Sequence, residues 1–285
     1  MTAAATTLGV IGLGSMGRGA ALSALRRGVP TWGFDLNPAA CTAVAEAGGR
    51  IAGSLAELAQ ACDAVVVLVV NAAQTEAVVF GDGGLAAHLK PGSVVVTSAT
   101  VDPTLPPQWE ARLAAMGLHL IDAPVSGGAA KAANGEMTVM ASGRPEAFAA
   151  VGGLLDAVAG KVYRLADQAG VGSTVKMVNQ HLAGVHIAAA CEAMALGIRA
   201  GADPDKLYEV ITNSAGNSWM FANRVPHILT ATTRRCRPST SSSRTWASCW
   251  MRRASWRCRC RWPPPRTSCT WARPVPASAP RTTAR

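Results

Sequence analysis

The chain has 285 residues, of which 49% are hydrophobic and 15% charged, a globular balance with room for one large domain or two medium ones. No apolar run reaches membrane-span length without a break, and the start MTAAATTLGVIGLG lacks the basic region of a signal peptide, so a signal peptide is not expected and a cytoplasmic protein is. The formal net charge of +10 does not mark a nucleic-acid binder: 13 arginines and no Lys, Asp or Glu lie from Thr230 to Arg285, which leaves 14 basic against 17 acidic residues before them.

Cys41, Cys62 and Cys191 lie in the body, and the other five of the eight cysteines lie after Thr230. Cys258 and Cys260 lack the two-residue spacer of a zinc knuckle, and no histidine follows them. Neither a metal site nor a disulfide framework is expected.

Leu8 to Ile11 is an apolar run suited to a buried parallel strand. Gly12, Gly14 and Gly17 follow as G-x-G-x-x-G, ahead of a helical stretch. The first glycine allows the turn, the second lets backbone approach a pyrophosphate, and the third lets helix pack on strand. The helix N-terminus then offers N–H groups and a positive dipole end to phosphates. The loop Gly12, Leu13, Gly14, Ser15, Met16, Gly17 is the expected cofactor cradle. A second strand, TWGFDLNP, ends in Asp35, 18 residues after Gly17. A carboxylate there accepts from both adenosine ribose hydroxyls and repels a 2′-phosphate, and no arginine follows closely. NAD is therefore expected over NADP.

The alternation of strand and helix continues. SLAELAQACD reads as a helix, Ala64–Val70 as a buried strand, SVVVTSAT as a strand, PTLPPQWEARLAAMG as leading into a helix, and LHLIDAPV as a further strand. This pattern predicts a doubly wound parallel sheet. Ligands bind at the strand ends of such sheets, which makes Val70, Asn71 and Thr100 candidates to border the nicotinamide.

Ser126, Gly127 and Gly128 offer a hydroxyl and main-chain N–H groups suited to gripping a carboxylate. From Gly170 to Gly201 the chain reads as one long helix. Lys176, Asn179 and Gln180 share one of its faces. Spacing alone does not overturn the usual reading of a lysine, a surface side chain whose charged head reaches water. Asp203 before Pro204 predicts a helix cap with proline at the first helical position, and NSWMFANRVPHIL predicts another helix.

Four motifs in order carry a resemblance: G-L-G-S-M-G, ATVDP around Thr100, DAPVSGG, and G-x-G-x-x-x-K-x-x-N ending at Asn179. Together they resemble the β-hydroxyacid dehydrogenase family over roughly the first four-fifths of the chain. Within it, Gln180 and the stretches around Lys176 and Trp219 look closest to the branch acting on L-threonate, with 3-hydroxyisobutyrate and tartronate semialdehyde as the alternative substrate types. The resemblance implies a Rossmann-like domain (1–164), a long linking helix and an all-α second domain (from 165), often in homo-oligomers. It implies that Lys176 exchanges the proton of the substrate hydroxyl, that Asn179 orients it, that Ser126, Gly127 and Gly128 hold the carboxylate, and that Gln180 touches the substrate. A small hydroxy acid is the expected partner.

After Leu229 the family pattern stops, and Arg, Ser, Trp, Cys and Pro take over. Read one base earlier, a consistent codon choice for STSSSRTWASCWMRR gives VDIFVKDLGLVLDEA, which resembles the family's next segment, lysine included. A single-base loss near Leu229–Thr230 accounts for this. On that reading the second domain is truncated at 229, and 230–285 is an out-of-frame tail, expected to be poorly ordered. Oligomerisation and activity of the chain as written are then in question, and a cofactor-binding remnant is the alternative.

Overall fold

The computed structural model describes residues 6–230. It opens with β1 (Leu8–Ile11), α1 (Ser15–Arg26), β2 (Thr31–Phe34), α2 (Pro38–Glu46), β3 (Arg50–Ile51), α3 (Leu55–Ala61) and β4 (Ala64–Val67). The next units are α4 (Ala72–Phe80), β5 (Val94–Thr97), α5 (Leu105–Ala114), β6 (His119–Asp122), β7 (Val125–Ser126), α6 (Gly128–Asn134) and β8 (Thr138–Ser142). They lead into α7 (Pro145–Val151), α8 (Leu154–Val158) and β9 (Lys161–Ala166). Three helices follow: α9 (Val171–Arg199), α10 (Pro204–Thr212) and α11 (Trp219–Leu229).

The strands form one sheet in the order β3-β2-β1-β4-β5-β6-β8-β7, with β9 paired to β8. From β3 to β6 every pairing is parallel. That is the doubly wound dinucleotide order, whose direction reverses between β1 and β4. The sheet then departs from a purely parallel one, since β8 pairs antiparallel with both β6 and β7.

Strand alternation sends side chains to two helical layers. Leu8, Val10, Val66, Val96 and Ile121 face α1 and α6–α8, and pack with Ala20, Ala24, Phe148 and Leu155. Ile11, Val65, Val67, Val95 and Leu120 face the other way, onto Leu58, Trp109 and Leu113. Several helices start on local caps. Asn37 accepts from the Ala39 N–H ahead of α2, and Ser54 accepts from the Glu57 N–H ahead of α3. Asp203 accepts from the Lys206 N–H ahead of α10, with Pro204 in the first turn, as the sequence predicts.

One strand is shorter than its sequence suggests. Apolar residues run to Val70, but β4 ends at Val67, level with Ile11 at the end of β1. Beyond Ile11 its neighbour turns into the glycine loop and offers no further ladder. Val70, 49% exposed, therefore lies past the sheet, over the strand-end crevice. The sheet itself runs on to Ala166, and α9 begins at Val171.

The helical region is built differently. α9 packs its start against β6, β8 and β9, and carries α10 and α11 on its later turns. Its own core is small: Ala190, Met194, Phe221 and Val225, flanked by Leu207, Tyr208 and Ile211. By length and composition α9 could cross a bilayer, but it carries Lys176, His181, His186 and Glu192.

Candidate active site

The glycine loop has the shape a dinucleotide needs. Gly12 sits at φ +85°, and a Cβ there would lie 2.7 Å from the Leu68 carbonyl oxygen. A Cβ on Gly17 would lie 1.9 Å from the Gly12 carbonyl oxygen, so helix and loop close only on glycine. Gly14 is the opposite case, with nothing within 4 Å of a Cβ position. A side chain there would fill open space in front of the α1 N-terminus, where a pyrophosphate fits. Leu13 turns inward and is buried, whereas Gly14 and Ser15 are exposed and Met16 packs partly on the core.

Asp35 follows β2 and is half-buried. Its Oδ2 accepts from the Leu13 N–H at 2.7 Å, and its Oδ1 accepts from the Asn37 N–H at 2.8 Å. The carboxylate is thereby aimed along the glycine loop, and its remaining lone pairs are available to a ribose. Leu36, next in the chain, is 91% exposed and brings no cation.

Asn71 and Val70 lie across the crevice. The Asn71 side chain accepts from the Gln74 N–H at 2.9 Å and caps α4, and the Val70 N–H donates to Gln74 Oε1 at 2.8 Å. Both are tied into the helix start. Thr100 follows β5 and is half-buried.

Ser126 ends β7, and Gly127 and Gly128, at φ +129° and +72°, turn the chain into α6. Ser126 and Gly127 are half-buried, and Gly128 is exposed. Lys176 lies in the second turn of α9 and is 7% exposed. Burial pushes its ammonium down to about 8, from an ordinary 10.5. It is a buried amine rather than a surface one, within reach of neutrality near physiological pH. The Asn179 amide donates to Gln180 Oε1 at 3.4 Å, so these two half-buried side chains face one another.

One group was not singled out from the sequence. Asp122, the last residue of β6, is 1% exposed and accepts four hydrogen bonds. Burial pushes its carboxyl up to about 6, against the pull of its bonds from Ser173, Gly170 and Ser142. A carboxylate directly after the apolar pair Leu120-Ile121 at a strand end was the available signal.

Known proteins match this chain along the described length. Residues 7–166 match the family model described as the NAD binding domain of 6-phosphogluconate dehydrogenase. Residues 170–240 match the one described as NAD-binding of NADP-dependent 3-hydroxyisobutyrate dehydrogenase. L-threonate dehydrogenase of Cupriavidus necator is 60% identical over 222 residues, covering 78% of this chain and 75% of that one. L-threonate dehydrogenase of Escherichia coli K12 is 55% identical over 223 residues, covering 78% and 74%. Mouse mitochondrial 3-hydroxyisobutyrate dehydrogenase is 34% identical over 229 residues, covering 80% and 68%. A crystal structure titled 3-hydroxyisobutyrate dehydrogenase, from Salmonella typhimurium, superposes with a TM-score of 0.83 at 48% identity, over 90% of each chain. With its glycine cradle and buried lysine on the helix beyond the sheet, the chain belongs to the β-hydroxyacid dehydrogenase family of NAD(P)-binding oxidoreductases.

Proposed function

We propose that this protein is an NAD-dependent dehydrogenase that oxidises L-threonate in the cytoplasm. The observation that carries the reading is a buried amine, Lys176, the one such lysine among the described residues, on a helix that starts beside the strand ends of a dinucleotide-binding sheet. The substrate follows from the relatives at 60% and 55% identity, which are named for L-threonate. The preference for NAD follows from Asp35, whose carboxylate accepts from hydroxyls and repels a 2′-phosphate.

The dinucleotide, when bound, supplies the acceptor for the hydride. Gly12–Gly17 and Asp35 would hold its pyrophosphate and ribose, and Val70, Asn71 and Thr100 would border its nicotinamide. Lys176, as the neutral amine, takes the proton of the substrate hydroxyl while the carbinol C–H bond breaks, and the hydroxyl carbon becomes a carbonyl. In the reverse direction the ammonium returns that proton. Ser126 and the Gly127 and Gly128 N–H groups hold the substrate carboxylate, and Asn179 and Gln180 orient its hydroxyls.

Turnover of L-threonate with NAD⁺, followed as NADH absorbance, tests this. Lys176→Ala should lower kcat by about 10²–10⁴-fold, with NAD⁺ affinity kept. A rate near that of the parent would overturn the lysine's role. A preference for NADP⁺ would overturn the role of Asp35.

The composition after Thr230 favours a second reading. Residues 231–285 lie outside the described residues, and the single-base loss accounts for their arginines and tryptophans. On this reading the chain as written binds NAD⁺ without turning over. DNA sequencing across the codons for Pro226 to Arg237 separates the two: an extra base restores the enzyme, and its absence leaves the remnant.

A further inference from the structure

The first turn of α9 is held from outside the helix. Its N-cap is Gly170, which has no side chain to close the helix end. Two strand-end side chains do so instead. Asp122 Oδ2 accepts from the Gly170 N–H at 3.0 Å and the Ser173 N–H at 2.8 Å, and Asp122 Oδ1 accepts from the Ser173 hydroxyl at 2.7 Å. Ser142, the last residue of β8, accepts from the Gly172 N–H at 2.8 Å and donates to Asp122 Oδ2 at 3.4 Å. The helix end also lies flat on the sheet. A Cβ on Gly172 would stand 2.3 Å from the Met140 carbonyl oxygen and 2.7 Å from that of Asp122.

A local cap would close a helix end for about 1 kcal/mol without burying a charge. Here a buried carboxylate does it across 48 and 51 residues of sequence, at the cost of desolvation. Such a cap fixes the helix against the sheet, which a local cap cannot do. Ser173 and Lys176 are three residues apart on one helix face, so whatever fixes Ser173 fixes the base of the Lys176 side chain. Ser126 stands four residues beyond Asp122, so the carboxylate ties the two halves of the site together.

We propose that Asp122 is a positioning residue for Lys176: with Ser142 it anchors the first turn of α9 across the strand ends, and so sets where the lysine amine meets the substrate. This rests on the reading of Lys176 as the proton acceptor. A displacement of about 1 Å at a reacting group can cost 100-fold in rate.

A double-mutant cycle tests it, with Asp122→Asn and Ser173→Ala each made in the parent and in Lys176→Ala. The amide keeps the shape of the carboxylate but gives up one acceptor oxygen. In the parent, Asp122→Asn should lower kcat by about tenfold or more, with KM for NAD⁺ within about twofold. In Lys176→Ala it should lower the residual rate by less than about twofold, because no positioned amine remains to be lost. The same factor in both backgrounds, or an unchanged kcat in the parent, would overturn the proposal. Should Asp122→Asn fail to bind NAD⁺, Ser173→Ala, which removes one bond, takes its place, and loss of binding in both variants would assign Asp122 a role in folding alone. The cycle is run on the chain with the extra base restored, and there a Lys176→Ala variant as fast as its parent overturns the lysine reading itself and the positioning role with it.

Discussion

The sheet region and the helical region treat their apolar residues differently. In the central strands β1, β4 and β5 both sheet faces are covered, and residues such as Leu8, Val65 and Val95 are fully buried. From Val171 on, Leu196 is 71% exposed, Val210 62% and Trp219 59%, and α10 has no fully buried residue. Burial of apolar area is the main stabilising term in folding, so stability is concentrated in the sheet region. Lys176, the proposed proton acceptor, sits on the first turns of the other one. The two meet through Asp122 and Ser142, which bond the first turn of α9 to the strand ends.

Matched truncations give the largest contrast. Leu120→Ala, in the centre of the sheet, should cost about 2–5 kcal/mol, and Met194→Ala, in the small helical core, should cost less because its surroundings can collapse onto the gap. Denaturant melts of the two variants compare them, and equal losses would break the contrast. Hydrogen exchange in the Met194→Ala variant should show α10 and α11 opening while β1, β4 and β5 stay protected.

Gly172→Ala probes the seam between the regions. The new methyl meets two main-chain carbonyls, and overpacking of this kind costs about 1–3 kcal/mol. Thermal melts should show the loss, and amides of the first turns of α9 should exchange faster. An unchanged melting temperature would mean that the helix end is not held against the strands.

The smallest effects are of pH. L-threonate oxidation should rise with pH and level off above about 8, where Lys176 becomes the free amine. Stability should follow the same group with a definite sign. Folded Lys176 releases its proton near 8 and the unfolded chain near 10.5, so this lysine makes stability rise with pH between those values. Asp122 acts in the opposite sense. Its folded value of about 6 lies above the ordinary 3.8, so its contribution falls as pH rises from 3.8 to 6. Melts across both windows check the signs, and a flat profile from pH 8 to 10.5 would place Lys176 in water.

What the sequence made legible was local. The span Leu8–Ile11, the glycine loop and Asp35 follow from spacing within one β-α-β unit, and the structure places them there. The long helix was legible because no proline or turn cluster interrupts its 29 residues. The stretch from β7 to β9 was not. β7 has two residues, Thr138–Ser142 mixes polar and apolar positions, and β9 mixes Lys161 and Arg164 with apolar side chains, so none shows a strong period. The role of Asp122 was hidden for another reason: its partners on α9 lie 48 and 51 residues away, and no local pattern marks such a pair.

The anchored end of α9 also makes the helix a lever with its fulcrum beside the chemistry. Its 29 residues span about 43 Å. Lys176 lies only about 7 Å along that rod from Val171. A tilt of about 5° about the anchor would carry the Arg199 end through roughly 4 Å and Lys176 through less than about 1 Å. Any tilt of the helical region about this anchor would therefore displace α10 and α11 several times further than it displaces Lys176.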